Sequence, residues 1–356
     1  MQNGASTVGV FSNIEELPKE ALQLFDAAGC FYPEFSAGWF ENLQQSVFCD
    51  SGVQYHVAFR AGQPQAILPV RVLRRKLVSR AEALANYYTS LYSPILGLEA
   101  KTEDVSELLK SISYINGRVD EMSFSPMDPK SPAYERLFQG VRQIGWVPFD
   151  YFCFNNWYLK VASEFGEYLK SRDGLLRNTI KRKSKKFSGS GGTFEIITGL
   201  DRVSEGIADY AHVYARSWKQ PEPYPEFIPG LIRMLAVNGN LRLGIARIGD
   251  RPVAAQIWIT YHNKSSIYKL AYDEDFSDYS PGTLLTSYLM KYVIDCDRVS
   301  EVDFLTGADP YKKDWMSHSR ERRGIVAYNP KSIIGLALMG KQMIGGWLRK
   351  AKEVNQ

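Results

Sequence analysis

Cysteine and histidine are scarce in this chain of 356 residues, which has four of each. Cys30, Cys49, Cys153 and Cys296 form no Cys-x-x-Cys pair, and the histidines do not cluster by spacing. Neither a zinc ligand set nor a disulfide framework follows, so no metal is expected, and reduced thiols are. Long apolar runs are missing too. A membrane span needs roughly 18–20 uninterrupted apolar residues. The nearest stretch, 332–348, is broken by Lys341 and Gln342 and diluted by four glycines. The first 20 residues hold no basic stretch leading into an apolar one, so no secretory leader is expected. Nor is one sign of charge in large excess: 43 Lys and Arg against 39 Asp and Glu leave +4. That balance tolerates anionic ligands without marking a nucleic-acid binder. A cytoplasmic protein is the expectation.

What is present is core-forming material. With 45% hydrophobic and 13% aromatic residues, the chain can bury a large core, and its length suits two domains. Two stretches carry the same pattern. In the first, strands over 53–59 and 65–72 flank a turn containing Gly62 and Pro64; in the second, strands over 241–248 and 253–260 flank Gly249 and Pro252. A Tyr-rich segment follows each, 86–92 and 266–272, each expected to be a strand. Then come 121–124 with Asp128-Pro129 and 301–304 with Asp309-Pro310. The offsets cluster at about 180–187 residues, which predicts a tandem α/β repeat. The boundaries are read as 1–155, 156–330 with a basic helical arm over 165–187, and a C-terminal amphipathic helix over 331–356. Loop composition at 188–192 ends the arm.

The second copy holds the chemistry. A strand ends at Tyr272-Asp273, and after a short loop comes Ser280-Pro281-Gly282-Thr283-Leu284, with helical apolar spacing over 283–294. Ser280 suits an N-cap, Pro281 the first helical position, and Gly282 a close backbone approach. The free N–H groups of such an end form an anion site, although an ordinary capped helix reads the same way. Asp303 lies in an apolar strand, where an unpaired carboxylate is costly. Lys312, Lys269 and Arg322 are its candidate partners, and a buried structural ion pair is the bland alternative to a catalytic role. The first copy has Ser123 in place of Asp303 and lacks the Ser-Pro-Gly-Thr turn, so one active site is expected, in the second copy.

The runs from Tyr268 to Asp273, Ser280 to Thr283, Asp303 to Gly307 and Tyr311 to Trp315, with Tyr214 to Lys219 upstream, resemble the CelD/BioF2-like GNAT acetyltransferases. That family is related to the tandem-GNAT Fem transferases of cell-wall synthesis. The resemblance implies tandem duplicated GNAT-like domains, each a mixed, mostly antiparallel twisted sheet flanked by helices. It implies transfer of an acetyl or acyl group from acetyl-CoA or another acyl-CoA to an amine or hydroxyl of a small-molecule or glycan-precursor acceptor. Tyr279, Ser280, Pro281, Gly282, Thr283 and Leu284 would match the pyrophosphate loop, with one glycine where the family pattern has more. The departure keeps aminoacyl-tRNA and an acyl-carrier protein open as donors. Asp303 is read as base or substrate orienter, Tyr311 or Tyr272 as acid, and Lys312 as a functional lysine. Arg177, Arg182, Trp218, Lys219, Lys269 and Trp315 are read as substrate-binding.

The remaining features are weaker. The basic run 181–186 reads as a solvated helix face, with a phosphate-bearing substrate or carrier, and after it nucleic acid, as the functional alternatives. His56 and His212 read as packed, and His318 as a possible cleft residue. The tail reads as a helix docked on the body, with peripheral contact to an anionic membrane as the alternative.

Overall fold

A computed structural model describes residues 6–49, 52–307 and 309–354, with side chains through Gly345 in the last helix. By its contacts the chain divides into two units, Met1–Cys153 with Glu321–Gln356, and Phe154–Arg320.

In the first unit the strands are β1 (Thr7–Phe11), β2 (Val53–Arg60), β3 (Gln63–Arg74), β4 (Ser79–Ala83), a short β5 (Ile95–Leu96) beside β3, and β6 (Glu121–Met127). Helices α1 (Lys19–Gly29), α2 (Ala37–Ser46), α3 (Thr102–Asn116) and α4 (Pro132–Gln143) accompany them. Strand β7 (Val147–Lys160) carries the chain into the second unit. There follow α5 (Phe165–Lys170), α6 (Gly174–Gly189), β8 (Gly192–Ile197), α7 (Val203–Ala215), α8 (Phe227–Val237), β9 (Leu241–Ile248), β10 (Arg251–Tyr261) and β11 (Lys264–Tyr272). The unit closes with α9 (Pro281–Asp295), β12 (Glu301–Asp303) and the single turn α10 (Lys312–Trp315). Strand β13 (His318–Tyr328) returns to the first unit, and α11 (Ile333–Val354) ends the described chain.

The two units repeat one order: β1-β2-β3-β4-β6-β13 in the first and β8-β9-β10-β11-β12-β7 in the second. The pairs are antiparallel except β4 with β6 and β11 with β12, which are parallel. A helix bridges each parallel pair, α3 in the first unit and α9 in the second, because parallel neighbours need a crossover rather than a tight turn. Each helix buries one face on its own sheet. Leu108, Leu109 and Ile112 pack with Met122 and Phe124 in one core; Leu285, Leu289 and Val293 pack with Trp258 and Val302 in the other.

Several sequence expectations are corrected. Segment 86–92 is a loop, and the counterpart of β11 is β4. The Asn86 side chain accepts from the Tyr88 N–H at 3.0 Å, and the Thr89 N–H bonds back to the Asn86 carbonyl at 2.9 Å. That local turn outcompetes the aromatic strand propensity. The single arm over 165–187 is two helices, because Asp173 caps a new start by accepting from the Leu175 N–H at 2.7 Å. The boundary near 330 lies instead at 320. Strand β13 pairs with β6 from Arg323 to Tyr328, which ties 321–356 to the first unit.

Asp303, the last residue of β12, is 2% exposed and bonded to Arg320 and Asn156, neither of them among its expected partners. It also accepts from the Leu305 N–H at 2.6 Å. Arg320 in turn donates to Asn156 Oδ1 at 2.7 Å and to Glu301 at 2.8 Å. The expected partners are engaged elsewhere: Lys269 with Glu222, Arg322 with Asp128, and Lys312 with Asp309. Removing one partner of a buried pair strands the other charge. Arg320→Ala is therefore expected to lower the unfolding free energy of the second unit by about 3–5 kcal/mol in urea titrations. A loss below about 1 kcal/mol, the range of an exposed pair, would show that this cluster does not hold the strand end.

Candidate active site

The cluster at Asp303 decides where the second sheet opens. Strand β12 pairs with β11 only at Lys264↔Glu301, Ser265↔Val302 and Ser266↔Asp303. Beyond Ser266, β11 runs on to Tyr272 with β10 as its strand neighbour, while the chain leaves β12 through Leu305 and Gly307, both at positive φ (52° and 97°). Alternate backbone groups of 267–272 on the β12 side thus face a notch rather than a strand.

At the far end of β11 a buried carboxylate organises the turn into α9. Asp273 accepts from Arg251 at 2.7 Å, from Arg216 at 3.1 Å and from the Asp275 N–H at 3.1 Å. A 3-10 turn, Glu274–Tyr279, leads to Ser280, whose backbone is left-handed at φ 52°. Ser280 makes no side-chain cap, contrary to the sequence reading, because a capping serine needs an extended backbone. The N–H groups of Gly282 and Thr283 consequently have no acceptor among the described residues. The Gly282 carbonyl, in contrast, is braced by Gln256 Nε2 at 2.9 Å and by Thr286 at 3.0 Å. Trp258 donates to the other side of Gln256 at 2.8 Å. A Cβ on Gly282 would lie 3.2 Å from the Tyr272 ring, so glycine here admits that ring.

Helix α6 borders the same end. Lys183 donates to the Asp278 carbonyl, and Lys186 lies 4.7 Å from the centre of the Tyr279 ring. Arg177 and Arg182 are exposed on α6, outside the cleft.

A cleft of about 570 Å³ opens between these elements. Leu270 and Tyr272 come from β11, Gly282, Thr283 and Thr286 from α9, and Leu175, Leu176 and Thr179 from α6. The loop after α7 gives Trp218 and Lys219; the segment after β12 gives Asp309, Tyr311, Asp314 and Trp315. Trp218 leans on Tyr272 with ring centres 4.8 Å apart, and the Trp315 carbonyl accepts from Tyr168 at 2.8 Å.

Residues 175–313 match the family model of the acetyltransferase (GNAT) domain. The second unit carries a GNAT-type domain. No curated protein matches the sequence significantly. Among solved structures, FemX superposes with a TM-score of 0.58 at 13% identity, covering 82% of this chain and 91% of FemX. L-PGS from Bacillus licheniformis gives 0.54 at 10% identity, with 90% and 95% covered. A tandem GNAT protein from the clavulanic acid biosynthesis pathway gives 0.50 at 10%, with 92% and 100% covered. At these identities the likeness establishes the fold, a tandem of GNAT-like α/β units.

Within the GNAT-type domain the sequence-derived candidates separate into two groups. Tyr272, Gly282, Thr283, Trp218, Lys219, Tyr311 and Trp315 meet at the cleft. Asp303, Lys312, Lys269, Pro281 and Leu284 do not line it. Lys312 Nζ is buried in the loop after β12, bonded to the carbonyls of Thr306, Gly307 (3.3 Å) and Phe304 (3.4 Å). It shapes that loop. Asp303 has its oxygens committed to Asn156, Arg320 and the Leu305 N–H, so it is held inside that cluster and away from the cleft lining. His318 stacks on Tyr158 with centres 5.3 Å apart, away from the cleft lining. The residues that sequence reasoning missed are Gln256, Asn156, Asp273 and Arg320. Their available signal was a polar side chain inside an apolar strand or at its end.

Two side chains in the cleft have displaced proton affinities. Partial burial, reinforced by nearby Lys269, lowers the Lys219 amine to about 8. No carboxylate lies within ion-pair distance of it among the described residues. Burial, aided by Asp309, pushes the Tyr311 hydroxyl up to about 12. Among the described residues the one carboxylate cluster with metal-like spacing, Glu195, Glu205 and Asp209, is filled by the Arg247 guanidinium.

A base with a lowered folded-state pKa opposes folding while it is protonated in both states, and the penalty fades as pH rises through the folded value. Lys219→Met is therefore expected to melt higher than wild type at neutral pH. The difference should close between about 8 and the ordinary 10.5, followed by thermal denaturation across that window. A constant difference would show that Lys219 is fully solvated.

Proposed function

We propose that this domain transfers an acyl group from acyl-CoA, acetyl-CoA in the simplest case, to an amine or hydroxyl on a sugar-like acceptor such as a cell-envelope polysaccharide precursor. One observation carries the reading: the uncapped start of α9, with two free N–H groups, opens into the cleft where β11 has lost its neighbour. The Gly282 and Thr283 N–H groups suit the donor's phosphates, since a helix start favours negative charge and offers unpaired donors. Backbone N–H groups on the freed edge of β11 suit the thioester carbonyl and the charge that develops on it. Trp218 and Trp315 offer aromatic faces, and Asp173, Asp309 and Asp314 carboxylates, a combination that suits a polyhydroxylated ring.

Lys219 takes the proton in this reading. A lysine lowered to about 8 holds enough neutral amine near physiological pH to act as a general base. As the acceptor's nitrogen or oxygen bonds to the acyl carbon and the carbon–sulfur bond breaks, Lys219 receives the acceptor's proton. Tyr311, protonated throughout this range, gives its own to the leaving sulfur. The role proposed for Asp303 is to orient the strand end.

Titration calorimetry tests the donor. Acetyl-CoA is expected to bind in the micromolar range, and Gly282→Val to weaken it at least about tenfold by displacing the Tyr272 ring and covering the helix start. No binding of CoA or acetyl-CoA to the wild-type chain would refute the reading. The base has its own signature. Transfer should rise with pH through about 8, and Lys219→Met should lose that inflection and lower kcat by about 10²–10⁴.

The exposed cations on α6 favour a second reading, in which the donor is an aminoacyl-tRNA. Arg177, Lys181, Arg182 and Lys185 all face solvent on the helix that borders the α9 start. Binding of charged tRNA that falls steeply with salt, and is lost when 181–186 are neutralised, would select it over acyl-CoA.

A further inference from the structure

One end of the first unit combines exposed apolar side chains with a charge of a single sign. The hairpin between β3 and β4 presents Leu77 at 74% exposure, the start of α11 presents Ile333 at 85%, and the last turn of α3 presents Tyr114 at 87%. Buried polar bonds hold the three together. Asp120, wholly buried, accepts from the Ser79 N–H of the hairpin at 2.8 Å and from the Ser332 hydroxyl just before α11. Arg118 bonds to the Leu77 carbonyl, and Arg74 to the Asn116 carbonyl at the end of α3 at 3.2 Å. The Asn329 side chain donates to the Val119 carbonyl at 2.9 Å.

The charge of this surface is one-sided. Segments 71–80, 110–118 and 329–345 contain nine Lys or Arg and no Asp or Glu; Arg80, Lys110 and Arg118 pair with Glu121, Glu107 and Asp120 outside them, which leaves six with no carboxylate partner among the described residues. Along α11, Ile333, Leu336, Met343 and Ile344 are exposed at spacings that share one helix face. Over the described side chains, which end at Gly345, this apolar face is left uncovered. A second copy is a poor occupant, because a two-fold contact would set Arg74, Arg75, Lys76 and Lys331, none of which pairs with a carboxylate among the described residues, against themselves. No helix among the described residues is long and apolar enough to cross a membrane.

We propose that this surface lies on an anionic lipid bilayer. Leu77, Ile333 and the exposed face of α11 enter the interfacial layer, while Arg74, Arg75, Lys76 and Lys331 meet lipid phosphates. Apolar insertion and basic residues each contribute, and neither suffices alone for firm attachment.

Flotation of the full chain with vesicles tests this. Binding is expected to vesicles of phosphatidylcholine mixed with phosphatidylglycerol, to weaken as salt is added, and to be absent with phosphatidylcholine alone. Combining Leu77→Asp with Ile333→Asp should reduce binding at least about tenfold. The melting temperature should stay unchanged, since both side chains face solvent. Replacing Arg75 and Lys76 by glutamate should give a similar loss. The proposal fails if the mixed vesicles do not carry the protein, or if neutral vesicles carry it equally. It also fails if the substituted chains float like wild type, or if the apolar pair instead abolishes a lipid-independent dimer.

Discussion

The site depends on a buried carboxylate that does not line it. Asp303 is buried at the end of a three-residue strand, and its charge is tolerable only because Arg320, Asn156 and the Leu305 N–H surround it. Those bonds stop β12 opposite Ser266, six residues before β11 ends at Tyr272. The chain then leaves through two left-handed residues, and the loop beyond is cinched by the Lys312 ammonium against its own carbonyls. The notch beside β11 is thus a by-product of satisfying a buried charge.

The opposite wall of the cleft is set in the same way. Asp273 draws Arg216 and Arg251 together under the turn into α9, and Gln256, buried on β10, holds the Gly282 carbonyl in the first turn of the helix. With the carbonyl side braced and the serine in a backbone that cannot cap, the N–H groups of Gly282 and Thr283 are left to whatever enters from solvent. Polar side chains placed inside an apolar sheet therefore supply the rigidity, and backbone groups supply the recognition. Such a division suits a reaction whose rate comes largely from positioning.

Much of this was legible in the sequence, because periodicity and turn chemistry are local. The two hairpins and the helix start at Pro281 follow from spacing read within a dozen residues, whereas the aromatic residues that line the cleft came from the family resemblance. What escaped was non-local or conformational. Asp303 announced a partner, but choosing Arg320 over Arg322 requires knowing that Arg320 meets Asn156 of β7, the strand paired with β12. Ser280 had a capping residue's chemistry and a backbone that forbids the bond. The tyrosines of 86–92 had strand propensity, yet Asn86 turned the chain first. Gln256 was visible as one amide among apolar neighbours, though nothing nearby in sequence said what it would hold.

The central claim is that the uncapped start of α9 receives the phosphates of an acyl donor. Backbone amide NMR of the ¹⁵N-labelled chain during titration with CoA tests it most directly. The account expects saturable shifts at the Gly282 and Thr283 amides, ahead of any change at amides outside the cleft. Unchanged Gly282 and Thr283 signals in the presence of saturating CoA, or shifts confined to other segments, would contradict it.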